Sequence, residues 1–231
     1  MMNRRKIYRS LLAALCSLCI LCGCSKDDDP PAPAPKPIPT SIGKCFKDGA
    51  LVISNISGIP AGVTFNKVSA EVSGDDWQIV DLVETSYDGK EAVLVLPLSI
   101  PDVRLMKVVR DNASDYTGFW RADTDNANAK VAELQDIFAY SGGRRVGRIF
   151  LTEWLSGSTV GKPFVKFQYA NEPFELTGTY GSYRFVDASF GAGWNAYAMV
   201  NITMDAVAGA VKCTTDITED TQLYWRFESY E

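Results

Sequence analysis

From Leu51 onward the chain is built of short runs of β-branched and aromatic residues, broken every few positions by Gly, Pro, Asn or Asp. The first five runs cover residues 51–53, 68–72, 77–83, 92–96 and 105–109. Five more cover 146–154, 164–169, 174–179, 194–204 and 223–227. Apolar runs of this length between turn formers predict strands. In the last run Leu223, Trp225 and Phe227 alternate with Tyr224, Arg226 and Glu228. A period of two sends the first set into a core and the second toward solvent.

Residues 130–140 are less regular. Val131, Leu134 and Phe138 fall on a helical stripe, whereas Ser141-Gly142-Gly143 before Val146-Gly147-Arg148-Ile149-Phe150 reads as a hairpin turn entering a strand. The expectation is a helical turn at the start of this stretch and strand thereafter. With no long helix predicted, the class is all-β. An antiparallel β-sandwich is the expected architecture, and a lipocalin-like β-barrel is the alternative. Residues 41–231 number 191, enough for one large β domain or two smaller β subdomains.

The N-terminal segment has a different pattern. Arg4, Arg5, Lys6 and Arg9 precede an apolar stretch over residues 11–21. That stretch falls short of the roughly 20 residues a membrane-spanning helix needs, so it reads as an export signal. Its end, Leu21-Cys22-Gly23-Cys24, resembles the lipobox of bacterial lipoproteins, in which the signal peptidase cuts before the cysteine and the new N-terminus is acylated. The resemblance makes residues 1–23 a signal peptide and Cys24 the lipidation site. The following Ser25-Lys26-Asp27-Asp28-Asp29 is similar to the signal that carries Bacteroidetes lipoproteins to the outer face of the outer membrane. The alternative is a charged spacer that keeps the domain off the headgroups. Residues 30–39, PPAPAPKPIP, favour a polyproline II rod of about 3 Å per residue, so 24–40 read as anchor and tether. Cys16, Cys19, Cys22 and Cys24 also spell a C-x-x-C-x-x-C run, but three of them leave with the apolar segment and no metal site is expected from them.

Loss of residues 1–23 with their four basic side chains takes the formal charge from −5 to −9. An acidic mature chain argues against a nucleic-acid partner, which needs clustered Lys and Arg. The basic cluster of Arg144, Arg145 and Arg148 reads as decoration of a turn. The chain has no His, which excludes Ser-His-Asp and Cys-His catalysis and imidazole-bound zinc. Carboxylate chemistry survives. Asp75, Asp76, Glu84, Glu153, Glu172 and Glu175 are the acids available for a glycosidase pair, although Asp75-Asp76 after Gly74 reads as a solvated turn. Asp123-Thr124-Asp125-Asn126-Ala127-Asn128 has alternate oxygen ligands but departs from an EF-hand loop at Ala127, Asn128 and Leu134. No cofactor is implied.

Cys45 and Cys213 are the two cysteines of the folded part. A bond between them would close 168 positions and contribute about 4–5 kcal/mol on chain-entropy grounds, whereas the alternative is two separate buried thiols. Among the aromatics, Trp77, Trp154, Trp194 and Trp225 are expected mostly in the core. Trp120, in a loop-like setting, and the pair Tyr180 and Tyr183 around Gly181 are the candidates for a ligand surface.

Phe65-Asn66-Lys67-Val68-Ser69-Ala70-Glu71-Val72, Val93-Leu94-Val95-Leu96-Pro97, Phe138-Ala139-Tyr140, Val165-Lys166-Phe167-Gln168-Tyr169 and Gly193-Trp194-Asn195 form a spaced set of strand signatures across 51–227. The set resembles surface lipoproteins of gut Bacteroidetes. The resemblance implies location and β architecture and brings no activity. Two functions remain open. One is a non-catalytic cell-surface binding module for a glycan or a host or partner protein, and the other is a structural or assembly component of an outer-membrane surface complex.

Overall fold

Period-two burial organises the strands around the main core. In a computed structural model that describes residues 36–73, 79–109, 118–120, 123–203 and 209–230, sixteen strands are defined. They are β1 Phe46–Lys47, β2 Ala50–Ser54, β3 Lys67–Ser73, β4 Ile79–Ser86, β5 Glu91–Val95, β6 Met106–Val109, β7 Gly118–Trp120 and β8 Asp123–Thr124. The second half adds β9 Lys130–Ser141, β10 Arg144–Thr152, β11 Pro163–Ala170, β12 Phe174–Tyr180, β13 Tyr183–Phe190, β14 Gly193–Asn201, β15 Val211–Thr214 and β16 Tyr224–Ser229. Among the described residues helix is confined to short turns at Ile42–Cys45 and Asp102–Arg104. No described helix is long and apolar enough to cross a membrane.

The strands form two sheets. A small antiparallel one runs β1-β2-β5. The large one holds the other thirteen, in the order β4-β3-β9-β10-β11-β14-β15-β13-β12-β8, with β16 added on β10, β6 on β9 and β7 on β6. Leu51, Ile53 and Leu94 of the small sheet pack on Val68, Ala70, Ile149, Leu151, Trp225 and Phe227 of the large one. Two facing sheets with apolar inner faces are sandwich-like. The large sheet does not close, so the barrel alternative fails, and residues 37–231 form one compact unit. It is also not wholly antiparallel, since β6 with β7 and β13 with β15 pair in parallel.

A second core lies on the opposite face of β9 and β11. Leu134 and Phe167 point into the first core, whereas Val131 and Ala170 join Phe174, Leu176, Phe185, Phe190, Tyr197 and Cys213 in the second. The members of this cluster come from strands spread from β6 to β15, so the sheet curls around it.

β9, β10 and β11 are mutually antiparallel. One flat ladder cannot satisfy all three relations, so the partners change part-way. β9 pairs with β11 over residues 131–134 and with β10 over 137–141. The change falls at Gln135, which has no partner in β3 because Leu134 faces Val72 and Asp136 faces Glu71. Lys166 Nζ donates to the Gln135 carbonyl at 3.2 Å and pairs with Glu133 Oε1 at 3.0 Å, while Tyr197 donates to Glu133 Oε2 at 2.9 Å. The bulge corrects the helical turn expected at the start of 130–140. An extra residue advances the inward set from Leu134 to Ile137, and this produces helix-like spacing in an extended strand.

Candidate functional site

The outward face of β9, β10, β11 and β16 carries a row of aromatic rings interleaved with cations. On β10, Ile149 and Leu151 take the core side, leaving Arg148 and Phe150 outward. On β16, Trp225 and Phe227 take the core side, leaving Tyr224, Arg226 and Glu228 outward. Arg226 lies 4.6 Å from the Trp154 ring centre and 5.9 Å from that of Phe150. Phe150 lies 5.6 Å from Phe164 and 6.0 Å from Trp154, all three half-buried. Toward the other end Arg145 stacks 4.1 Å over Phe138, which lies 6.1 Å from Tyr230. Lys67 stands 4.9 Å over Tyr140. Guanidinium planes on ring faces contribute about 0.5–2 kcal/mol each, and they also hold the rings flat against the sheet.

An open groove of about 470 Å³ ends this row, between the β9–β10 hairpin, the loop at Gly62, Val63 and Thr64, and the segment Ser229–Tyr230. Its geometry begins in the turn. Gly142 and Gly143 have φ of 55° and 80°, the two left-handed positions of a tight hairpin, so Arg144 and Ser141 stand directly opposite each other. Val146, also in the lining, is skipped where Arg145 pairs with Tyr140 and Gly147 with Ala139. Gly147 is required here, because a Cβ would collide with the Phe227 ring and the Glu228 carbonyl. The opposite wall is pinned by Phe65, stacked between Tyr87 at 4.6 Å and Phe227 at 5.6 Å. Ser57 adds backbone bonds to Trp225 and Phe227 of β16.

Arg145 is held by three groups: it pairs with Glu71, its Nε donates to the Tyr140 hydroxyl at 2.8 Å, and its plane covers Phe138. Burial pushes the Glu71 carboxyl above the usual carboxylate range, and the charge of Arg145 offsets this only in part. Arg148 pairs with Glu228, and its Nη1 lies 3.8 Å from Asp136. Arg144 is exposed, and its guanidinium makes no ion pair or hydrogen bond with any described residue.

No family model, curated protein or solved structure matches the chain. The functional reading therefore rests on these side chains alone.

The residues singled out from the sequence are dispersed. Cys24, with the acidic run, lies outside the described residues, as do Asp75, Asp76 and Trp77. Trp120 closes β7 and is described by its backbone alone. Tyr180 and Tyr183 pair across the β12–β13 turn and pack half-buried on the second core, away from the aromatic row. Trp225 and Trp194 are structural. Trp225 is 1% exposed with its indole N–H bonded to Val52 O, and that of Trp194 is bonded to Pro97 O, both at 2.9 Å. Cys45 and Cys213 are free thiols, buried one in each core, and burial pushes both up to about 12, where they are poor nucleophiles.

Two of the candidate acids have side-chain partners, and Glu153 lines a separate open groove with Asp220. Glu84 pairs with Lys67, Glu172 accepts from the Asn126 amide, and Asp125 Oδ1 accepts from the Glu175 backbone N–H at 2.7 Å. Asn126 Oδ1 accepts from the Asn128 N–H, which spends a ligand position of the candidate calcium loop on a local turn. Trp154, half-buried in the row, departs from the expectation that the tryptophans lie mostly in the core. The strand before it has apolar residues on both faces, so alternation offered no contrast to mark the outward ones.

Proposed function

We propose that this chain is an exported, lipid-anchored binding module at the outer face of the outer membrane, with the aromatic row as its saccharide-binding surface. The observation that carries this reading is the placement of Phe150, Trp154 and Phe164 on an outward sheet face, interleaved with Arg226 and Arg148. Flat rings offer the C–H faces of a sugar a dispersive surface, and guanidinium forks donate to its hydroxyls. Both are already oriented by their stacking, so little side-chain entropy is lost on binding.

The test is isothermal titration of the full chain in detergent with a panel of oligosaccharides, repeated on Trp154→Ala. The variant is expected to bind about tenfold or more weakly, a loss of about 1.4 kcal/mol or more, with an unchanged unfolding midpoint. Undiminished affinity would remove Trp154 from the surface.

A second reading, a component of a surface assembly, is supported by a different face. Val93 and Val95 on the outer side of β5 are 40% and 65% exposed, and Leu98 beyond them is 91% exposed. A neighbouring protein would cover such residues. A wild-type protein that binds no saccharide in the titration favours this reading over the first.

A further inference from the structure

The groove beside the β9–β10 hairpin extends the saccharide reading, on which this inference rests, to a particular class of saccharide. Among the described residues the lining carries two cations, Arg144 and Arg145, and no acid. Arg145 is already engaged by Glu71 and Tyr140, Arg148 by Glu228, and Lys67 by Glu84. Arg144 is the member of this basic group left without a partner among the described residues. In a chain of net charge −5 it places in a concave lining a positive charge that no described side chain pairs with. The tight turn beneath it fixes its backbone, so the guanidinium is presented to the groove by a rigid element.

The groove also holds the ring of Tyr230, 55% exposed, and the side chain of Thr64. A volume of about 470 Å³ lies within the range of small-ligand sites. A free fork beside an exposed aromatic face matches a ligand with a planar carboxylate on a saturated ring: the fork takes both carboxylate oxygens and the aromatic face takes the ring. We propose that this groove binds the carboxylate of an acidic saccharide, with Arg144 as its ion-pairing residue and Tyr230 as its stacking surface. A uronate at the end of an oligosaccharide would sit here while neighbouring sugars run along the aromatic row.

The experiment titrates the full chain in detergent with a triuronate, a neutral trisaccharide of the same ring stereochemistry and a sulfated trisaccharide. The triuronate is expected to bind about tenfold or more tightly than the neutral sugar, and added salt is expected to narrow the gap. Arg144→Ala should bring the triuronate down to the neutral value, Arg144→Lys should restore part of the difference, and Lys47→Ala, an exposed charge on the small sheet, should change nothing. Equal binding of triuronate and neutral sugar, unaffected by Arg144→Ala, would overturn the carboxylate site and leave the saccharide surface standing. Tighter binding of the sulfated sugar would overturn the choice of carboxylate. An absence of binding by all three sugars would overturn both readings.

Discussion

Glu71 is a buried acid whose position reports how burial and pairing balance at one residue. It is 5% exposed, and its partner Arg145 is 44% exposed at the side chain, so desolvation acts on the carboxylate more than solvent-screened attraction repays. Its folded-state pKa is therefore raised above the ordinary value. For an acid shifted in this direction the folded state holds its proton more tightly than the unfolded state. Stability from this group is thus fully present below the ordinary carboxylate pKa and falls as pH rises through the folded-state value. Glu71→Gln keeps the neutral shape at every pH. Urea unfolding at pH 4 and pH 7 is expected to show the stability difference moving in favour of the variant as pH rises. A movement in favour of the wild type would mean that Arg145 outweighs burial.

At the scale of elements, close approach of β10 and β16 sets the groove and the core together. Gly147→Ala would force a methyl group against the Phe227 ring and the Glu228 carbonyl, and the backbone partner cannot rotate away. The expected loss is about 2–3 kcal/mol of folding stability by chemical denaturation. Gly191→Ala, whose Cβ would meet only Asn195 Oδ1 at 3.7 Å, is the matched control and should stay within about 0.5 kcal/mol. Equal effects of the two would remove close packing as the reason for glycine at 147. Strands with unbroken alternation, β5 and β16, were legible in the sequence because one inward set runs through them. β13 was not. Its inward residues Phe185, Ala188 and Phe190 change phase at Val186-Asp187, where two residues face one on β12 and Asp187 has φ of 51°. The change at Gln135 hid β9 in the same way. Of the site, the hairpin turn was readable from Ser141-Gly142-Gly143. The engagement of Arg145 and the freedom of Arg144 were not, because Glu71 is 74 positions away in sequence.

At the scale of the whole molecule, the chain enters the folded unit beside β16, the strand that carries Arg226. Thr40, at the end of the proline-rich segment, exchanges backbone hydrogen bonds of 2.7 and 2.9 Å with Leu223, one residue before β16. Ser41 Oγ adds a bond of 2.9 Å to Glu219. On the proposed reading, a proline-rich sequence that favours about 3 Å per residue would let an anchor at Cys24 stand clear of the sheet. Anchoring and binding should therefore separate. Cys24→Ala is expected to leave the precursor uncleaved and unacylated, by mass spectrometry of the cell fractions, while its saccharide affinity in detergent stays at the wild-type value. Normal processing and acylation of that variant would overturn the lipobox assignment. Loss of saccharide affinity in an unprocessed but folded Cys24→Ala protein would instead show that the uncleaved leader reaches the aromatic row, and that binding depends on removing it.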